Sequence, residues 1–245
     1  LSLLLLIETS SALSSVALAQ DDRLLALKKV TEPKSQASQL APLIQMLLRE
    51  QMATLAQCDA VAVSAGPGSY TGLRVGLSTA KGVCFGGGKP LIAVNSLDIL
   101  VQNCIDILDQ HPQHLQIFPP NTLIVPMMDA RRMEVYTACY QMDGTPLSPP
   151  EAMMVHPHSF DNILNRGPVI FTGDGVQKCA PLLDHPNAHF KPLHPSASGM
   201  RFVAYRTFLS QNFADLAYFE PYYLKDFRAA CNSASDKSRP TMSPF

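Results

Sequence analysis

The chain has no glycine before Gly66 and no histidine before His111. Backbone that closes tightly around a phosphate needs residues without Cβ, so the stretch ahead of Gly66 is ill suited to wrap one. No early helix can carry a paired-histidine metal site. The six cysteines (Cys58, Cys84, Cys104, Cys139, Cys179 and Cys231) are scattered, with no two at C-x-x-C spacing. Neither a zinc site nor a disulfide framework follows, and reduced thiols in a cytosol fit best. Charged residues make up only 16% of the chain and the formal net charge is -1, so composition offers no basic face for gripping nucleic acid directly. The first apolar run, Leu1 to Ile7, is too short to span a bilayer, lacks a basic flank and ends at Glu8-Thr9-Ser10. It reads as a buried first strand, with no membrane partner. There is no G-x-S-x-G and no cysteine with a partner base, so no catalytic residue is assigned.

What the chain does have is 47% apolar residues, enough for one large domain or two packed lobes. Its most informative stretch runs from Ala60 to Gly76. An apolar strand, Ala60 to Ser64, delivers a turn holding Gly66, Pro67, Gly68, Ser69, Tyr70, Thr71 and Gly72 into a helix from Gly72 to Phe85. Unpaired N–H groups and the helix dipole make such a junction a place for an anion. The turn is not a P-loop: Gly68 to Gly72 is one residue short, and Leu73-Arg74 stand where Lys and Ser/Thr belong. Thr71 takes the place of the last glycine of a dinucleotide fingerprint. A plain tight turn with Ser69 or Thr71 as N-cap accounts for the glycines equally well. Arg74 opposes the dipole in the first helical turn, which points to a partner for it.

Elsewhere, strands are expected at Leu3 to Ile7, Ser14 to Ala19, Leu24 to Val30 and Pro90 to Asn95. Leu40, Leu43, Ile44, Leu47 and Leu48 give Gln36 to Glu50 one apolar helical face, with Pro33 and Ser35 marking its start. Ser96 can cap a helix Leu97 to Leu108. A proline-rich linker, Asp109 to Asn121, leads to strands at Leu123 to Met127, Met133 to Tyr140, Leu147 to Val155 and Val169 to Thr172. The last of these ends in Gly173-Asp174-Gly175. A helix follows at Ala197 to Leu209, and Ala230 to Phe245 has the composition of a disordered tail. The order is strands first, then βα units, twice over. This predicts a mixed-sheet α/β fold in two similar lobes, as in the actin, Hsp70 and sugar-kinase ATPases with their ribonuclease H-like halves. His185 and His189 have metal-ligand spacing, but Pro186 and Asn187 oppose a helix between them.

Several segments resemble one family. Leu5-Leu6-Ile7-Glu8-Thr9-Ser10 is similar to an I-D-T-S opening, and Ser35-Gln36 to an H-S-Q helix start lacking its histidine. Gly66-Pro67-Gly68-Ser69-Tyr70-Thr71-Gly72-Leu73-Arg74-Val75-Gly76 closely matches the family's longest signature. Met128-Asp129-Ala130-Arg131-Arg132-Met133-Glu134-Val135-Tyr136 resembles M-D-A-R-R-x-E-V-Y, and Gly173-Asp174-Gly175 and Pro221-Tyr222-Tyr223-Leu224 resemble G-D-G and P-x-Y-L. The family is TsaB (YeaZ), and the likeness runs over roughly residues 3 to 228.

The resemblance implies an actin-like fold with an N-terminal lobe over residues 1–108, a smaller C-terminal lobe over 109–228 and a disordered tail over 229–245. Helix 197–209 is expected to pack back on the first lobe. It implies a non-catalytic scaffold that binds and activates a TsaD-type subunit. That subunit transfers threonylcarbamoyl to an adenosine beside the anticodon of tRNA, and a TsaE-type ATPase joins them. Alone, such chains form homodimers. tRNA is met only through the complex, and ATP or ADP sits at the interface of the assembly rather than on this chain. The glycine turn is then a partner or anion loop. The expected interface residues are Leu40, Leu43, Leu47, Gly76, Leu77, Ala80 and Lys81, although the leucines also suit a core role. Arg131 and Arg132 either pair locally with Asp129 and Glu134 or hold an interface anion. The competing reading is a metal-dependent peptidase or small-molecule kinase on the same fold.

Overall fold

The computed structural model describes residues 1–30, 36–110 and 118–225. The expected helix-start signals Pro33 and Ser35, most of the linker with His111 and His114, Cys231 and the 229–245 tail lie outside these residues. Three strands open the chain: β1 (Leu3–Glu8), β2 (Ser15–Gln20) and β3 (Arg23–Lys29). After helix α1 (Gln36–Glu50) come β4 (Ala60–Ser64), α2 (Tyr70–Gly87), β5 (Leu91–Val94) and α3 (Ser96–Gln110). The first sheet is ordered β3-β2-β1-β4-β5, with antiparallel pairing through β3, β2 and β1 and parallel pairing through β1, β4 and β5.

The second sheet repeats the plan. Its strands are β6 (Leu123–Asp129), β7 (Glu134–Thr137), β8 (Tyr140–Gln141), β9 (Glu151–Met154), β10 (Val169–Thr172) and β11 (Ala188–Lys191). Read as β9-β7-β6-β10-β11, two antiparallel junctions are again followed by two parallel ones. Short helices α4 (Asp161–Leu164) and α5 (Val176–Cys179) flank it, and α6 (Arg201–Ser210) closes the described fold after a 3₁₀ turn at Ala197–Met200.

The apolar runs in β1 and β4 alternate by face, as a strand buried on both sides requires. Leu5, Ile7, Val61 and Val63 meet Leu40, Ile44, Leu47 and Leu77 of α1 and α2. Leu4, Leu6, Ala60 and Ala62 meet Met200 and Ala204. Small alanines on that second face let α6 and its 3₁₀ lead-in lie close to the sheet. α3 turns Ile99 toward the first sheet but sends Leu97, Leu100, Val101, Cys104 and Leu108 to Ile124, Met128 and Ile170 of the second. It is wedged between the two sheets. At Gly199 an added Cβ would stand 2.4 Å from the Ile99 carbonyl oxygen, so the crossing there needs glycine.

Local departures from expectation have local causes. Asn95, not Ser96, caps α3: its side chain accepts from the Leu97 amide at 2.8 Å, and Ser96 lies inside the helix. The single strand expected from Met133 to Tyr140 breaks where the Cys139 amide donates to the Ser148 hydroxyl instead of to a neighbouring strand. Leu147 to Val155 shortens to Glu151–Met154 because Pro149 and Pro150 offer no N–H to a ladder.

Candidate functional site

Equivalent corners of the two sheets carry equivalent features. In the first, β1 ends in Glu8 and β4 runs into the Gly66 turn. In the second, β6 ends in Asp129 and β10 runs into Gly173. Carboxyl ends of parallel strands are where ligands of open α/β sheets gather.

The first corner is turned in on itself. The Ser10 N–H and hydroxyl both donate to Glu8 Oε1 at 2.5 Å, and the Thr9 N–H donates to the Ser64 hydroxyl at 3.1 Å. Backbone donors that would face a phosphate in a nucleotide-binding hairpin are spent on the chain's own side chains. The glycine turn behaves likewise. The Ser69 N–H donates to the Ser10 carbonyl at 2.7 Å, and the Tyr222 N–H to the Ala65 carbonyl at 2.7 Å. Gly66 has φ +101° and an added Cβ would lie 2.4 Å from the Tyr222 carbonyl oxygen; at Gly68 it would lie 2.3 Å from that of Ser10. These glycines admit the chain's own backbone. Ser69 is the N-cap of α2, accepting from the Gly72 amide at 3.2 Å, and Gly88 in the left-handed region ends the helix. Thr71 is exposed on the first turn. Arg74 finds its partner within the helix: its guanidinium donates to the Tyr70 hydroxyl at 2.9 Å and lies over the ring, which in turn packs against Tyr223 with centroids 5.0 Å apart.

Glu8 is fully buried, and its second carboxylate oxygen has no partner among the described residues. Burial pushes its pKa from 4.5 up to about 7, against the lowering effect of the two Ser10 donors. The folded state therefore holds a proton that the unfolded chain releases near pH 4.5. Stability is undiminished below that pH, falls as pH rises toward 7, and is flat above. The loss amounts to about 3 kcal/mol. Glu8→Gln should thus gain on the wild type between pH 5 and pH 8 in thermal unfolding; parallel curves would show that Glu8 ionises freely.

Between the lobes lies a cleft of 820 Å³, bordered by Leu13, Leu27, Asn103, Asp106, Leu193 and Arg201 among others. Its polar groups are largely satisfied by one another. Arg201 makes a two-pronged pair with Asp106 at 2.5 and 2.7 Å. Asn103 accepts from the Ser196 amide at 2.8 Å and donates to the Ser198 hydroxyl at 3.1 Å. Ser15 accepts from the Ala197 amide at 2.9 Å.

At the second corner, the Asp129 amide donates to Asp174 at 2.9 Å, and burial raises the Asp174 pKa. Arg131 and Arg132 form the β6–β7 turn with φ of +69° and +50°, a left-handed pair normally built from Asn and Gly. The expected pairing of these arginines with Asp129 and Glu134 is corrected here. Asp129 pairs with Lys178 and Glu134 with Lys225, so among the described residues neither guanidinium has an ion-pair partner.

The expected interface set needs a larger correction. Leu40, Leu47 and Ala80 are at most 1% exposed and Leu77 is 7% exposed, all within the first core. Gly76 abuts Thr9: a Cβ there would lie 2.1 Å from its hydroxyl oxygen. None of these can line an outer surface. Leu43 is half-buried, and Lys81 donates to the Ala217 carbonyl at 3.1 Å. The exposed face of α2 instead shows Arg74, Ser78, Gly82 and Phe85, four residues at helical spacing. Phe85 is 85% exposed, and an added Cβ at Gly82 or Gly86 would meet nothing within 4 Å. Met46 of α1, which packs beside α2, is 47% exposed.

His185 sits in the turn before β11, where Nδ1 accepts from the Asn187 amide at 3.1 Å, while His189 lies within β11, edge-on to Phe118. The pair shares no helical face and does not fit a metal held by an H-x-x-x-H helix. Among the described residues no three His, Cys, Asp or Glu side chains stand together in a metal-ligating group, and no helix is long and apolar enough to cross a membrane.

Two repeated sheets with helices wedged between them, each with an acid and a glycine turn at its carboxyl corner, are the two-lobed actin-like fold. Within that class, a family model described as TsaD: tRNA N6-adenosine threonylcarbamoyltransferase matches residues 32–235, and the chain belongs to that family. Curated relatives carry the name tRNA threonylcarbamoyladenosine biosynthesis protein TsaB. The Bacillus subtilis protein is 32% identical over 138 residues, 56% of this chain and 55% of the relative. The Escherichia coli protein is 31% identical over 142 residues, 57% of this chain and 55% of the relative. The match thus spans about half the length of these relatives. The solved structure of YeaZ from Pseudomonas aeruginosa superposes with a TM-score of 0.74 at 26% identity, covering 91% of this chain and all of that one. The likeness to TsaB read from the sequence is borne out.

Proposed function

We propose that this chain takes part in forming N6-threonylcarbamoyladenosine on tRNA as a scaffold that performs no chemistry itself, binding and activating a TsaD-type transferase subunit in the cytoplasm. The observation that carries this reading is the inward-turned first corner: Thr9 and Ser10 spend their N–H groups on Ser64 and Glu8, and Gly66 and Gly68 admit Tyr222 and Ser10 backbone. A catalytic phosphate cradle needs those donors and that space.

The exposed face of α2 supports docking on a partner helix. Ser78, Gly82 and Gly86 allow close approach, and Phe85 supplies an aromatic anchor beside them. The same face pairs with a second copy when the partner is absent. Nucleotide and the TsaE-type ATPase belong to the assembled complex, and tRNA is reached through it. Size-exclusion chromatography of the chain mixed with its TsaD-type subunit tests this. Co-elution as one species is expected; separate peaks, with and without nucleotide, would refute it.

A further inference from the structure

The cleft between the lobes takes no part in the scaffold reading. At 820 Å³ it falls within the range of about 300–1,000 Å³ typical of small-molecule sites. Strand β3 is irregular where it borders this space. Side chains three residues apart on a regular strand point to opposite faces, yet Leu24 and Leu27 both border the cleft. A β-bulge accounts for this: Leu18 stands opposite Ala26 and Ala19 opposite Leu24, so Leu25 has no counterpart on β2. Bulges of this kind recur next to active sites, where they re-aim a side chain.

The charges around the cleft offset one another. Arg201 is spent on Asp106 and on the Ser198 carbonyl, and His194 stands 3.9 Å from Asp174. Lys29, at the end of β3, and Asp109, near the end of α3, are exposed and opposite in sign. A phosphate group would meet no surplus of positive charge here. A sugar would find few free partners, since Asn103 and Ser15 are already engaged. Much of the wall is apolar, formed by Leu13, Leu24, Leu27, Ile107 and Leu193. Among the described residues of this lining, one buried hydroxyl has no partner, that of Ser14, which is 1% exposed. Its position is fixed by the Val30 N–H, which donates to the Ser14 carbonyl at 2.8 Å. An unpaired buried hydroxyl costs free energy that a ligand with a matching group recovers.

We propose that the cleft binds an uncharged, mainly apolar small molecule with a single hydroxyl or carbonyl group, its body against Leu27, Ile107 and Leu193 and its polar atom on the Ser14 hydroxyl. Among the described residues of the lining none belongs to α2, so this site stands apart from the docking face and does not rest on the scaffold reading.

The test is calorimetric titration of the full chain at neutral pH with 1-octanol and, separately, with octanoate. Saturable binding of 1-octanol with a negative heat-capacity change is expected. Octanoate should bind at least about tenfold more weakly, because its carboxylate enters a cleft with no cation to spare. Ser14→Ala should weaken 1-octanol about fivefold, the loss of one hydrogen bond. Leu27→Trp should abolish binding by filling the space. Ile107→Phe, which fills it from α3, replaces that variant if thermal unfolding shows it to be misfolded. Absence of saturable 1-octanol binding overturns the proposal. So does octanoate binding as tightly as the alcohol, which would mark an anion site at Lys29. Unchanged 1-octanol affinity in Ser14→Ala, or in the folded space-filling variant, overturns it as well, since the alcohol would then sit elsewhere on the molecule.

Discussion

Gly66→Ala is expected to cost more than about 3 kcal/mol of folding stability, enough to leave a domain of ordinary stability largely unfolded at 37 °C. Two effects add. The residue sits at φ +101°, where an L side chain is strained, and its Cβ would fall 2.4 Å from the Tyr222 carbonyl oxygen. That oxygen belongs to backbone fixed by the Tyr222 N–H bond to Ala65, so it cannot swing aside as a side-chain tip would. The substitution should therefore strip the 212–225 segment from the first sheet's edge, where the Ala214 amide also bonds the Leu91 carbonyl at 2.8 Å. Urea unfolding monitored by circular dichroism measures the loss. A change under 1 kcal/mol would mean that the turn tolerates a side chain and that its glycines serve an external ligand instead.

Gly82→Arg should have the opposite profile. The site is open, so folding is little disturbed, and Gly82→Ala should even stabilise the free chain by about 0.5–1 kcal/mol through helix propensity. Placed on the outer face of α2, however, the arginine blocks close helix approach and buries an unpaired charge against any docked partner. Affinity for the TsaD-type subunit should fall at least about a hundredfold, roughly the effect of removing a hot spot. Phe85→Ala should weaken the same complex with little change in melting temperature, since the ring is 85% exposed in the free chain. Calorimetric titration reads both. Wild-type affinity in Gly82→Arg would remove this face from the interface.

Much of the architecture was legible because the signals are local. Ala60–Ser64 and Val169–Thr172 are continuous apolar runs bounded by glycine turns, and their ends fall where composition puts them. The 3.6-residue spacing of Leu40, Ile44, Leu47 and Leu48 marked α1 through to Glu50 despite Pro42 inside it. The short helices α4 and α5 and strand β11 carry only four residues each, too few for a period to declare itself.

The site was harder to read because its meaning is nonlocal. Gly66, Gly68 and Gly76 look alike in sequence whether they admit a phosphate or the chain's own Tyr222, Ser10 and Thr9. Asp129 and Glu134 sit beside the arginines in sequence, yet their lysine partners are 49 and 91 residues away. Helical spacing placed Leu77 and Ala80 together on one face of α2, but not which face meets the sheet. That was settled by the strands they cover, Leu5, Ile7, Val61 and Val63.

The central claim is that this chain lends a surface, not a reaction. Transfer of threonylcarbamoyl from its adenylate to tRNA by a purified TsaD-type subunit, measured with and without this chain, tests it most directly. The chain alone should transfer nothing, and adding it should raise the subunit's rate equally well as wild type or as Glu8→Gln. Transfer by the chain on its own, or a stimulation abolished by Glu8→Gln in a folded protein, would contradict the account.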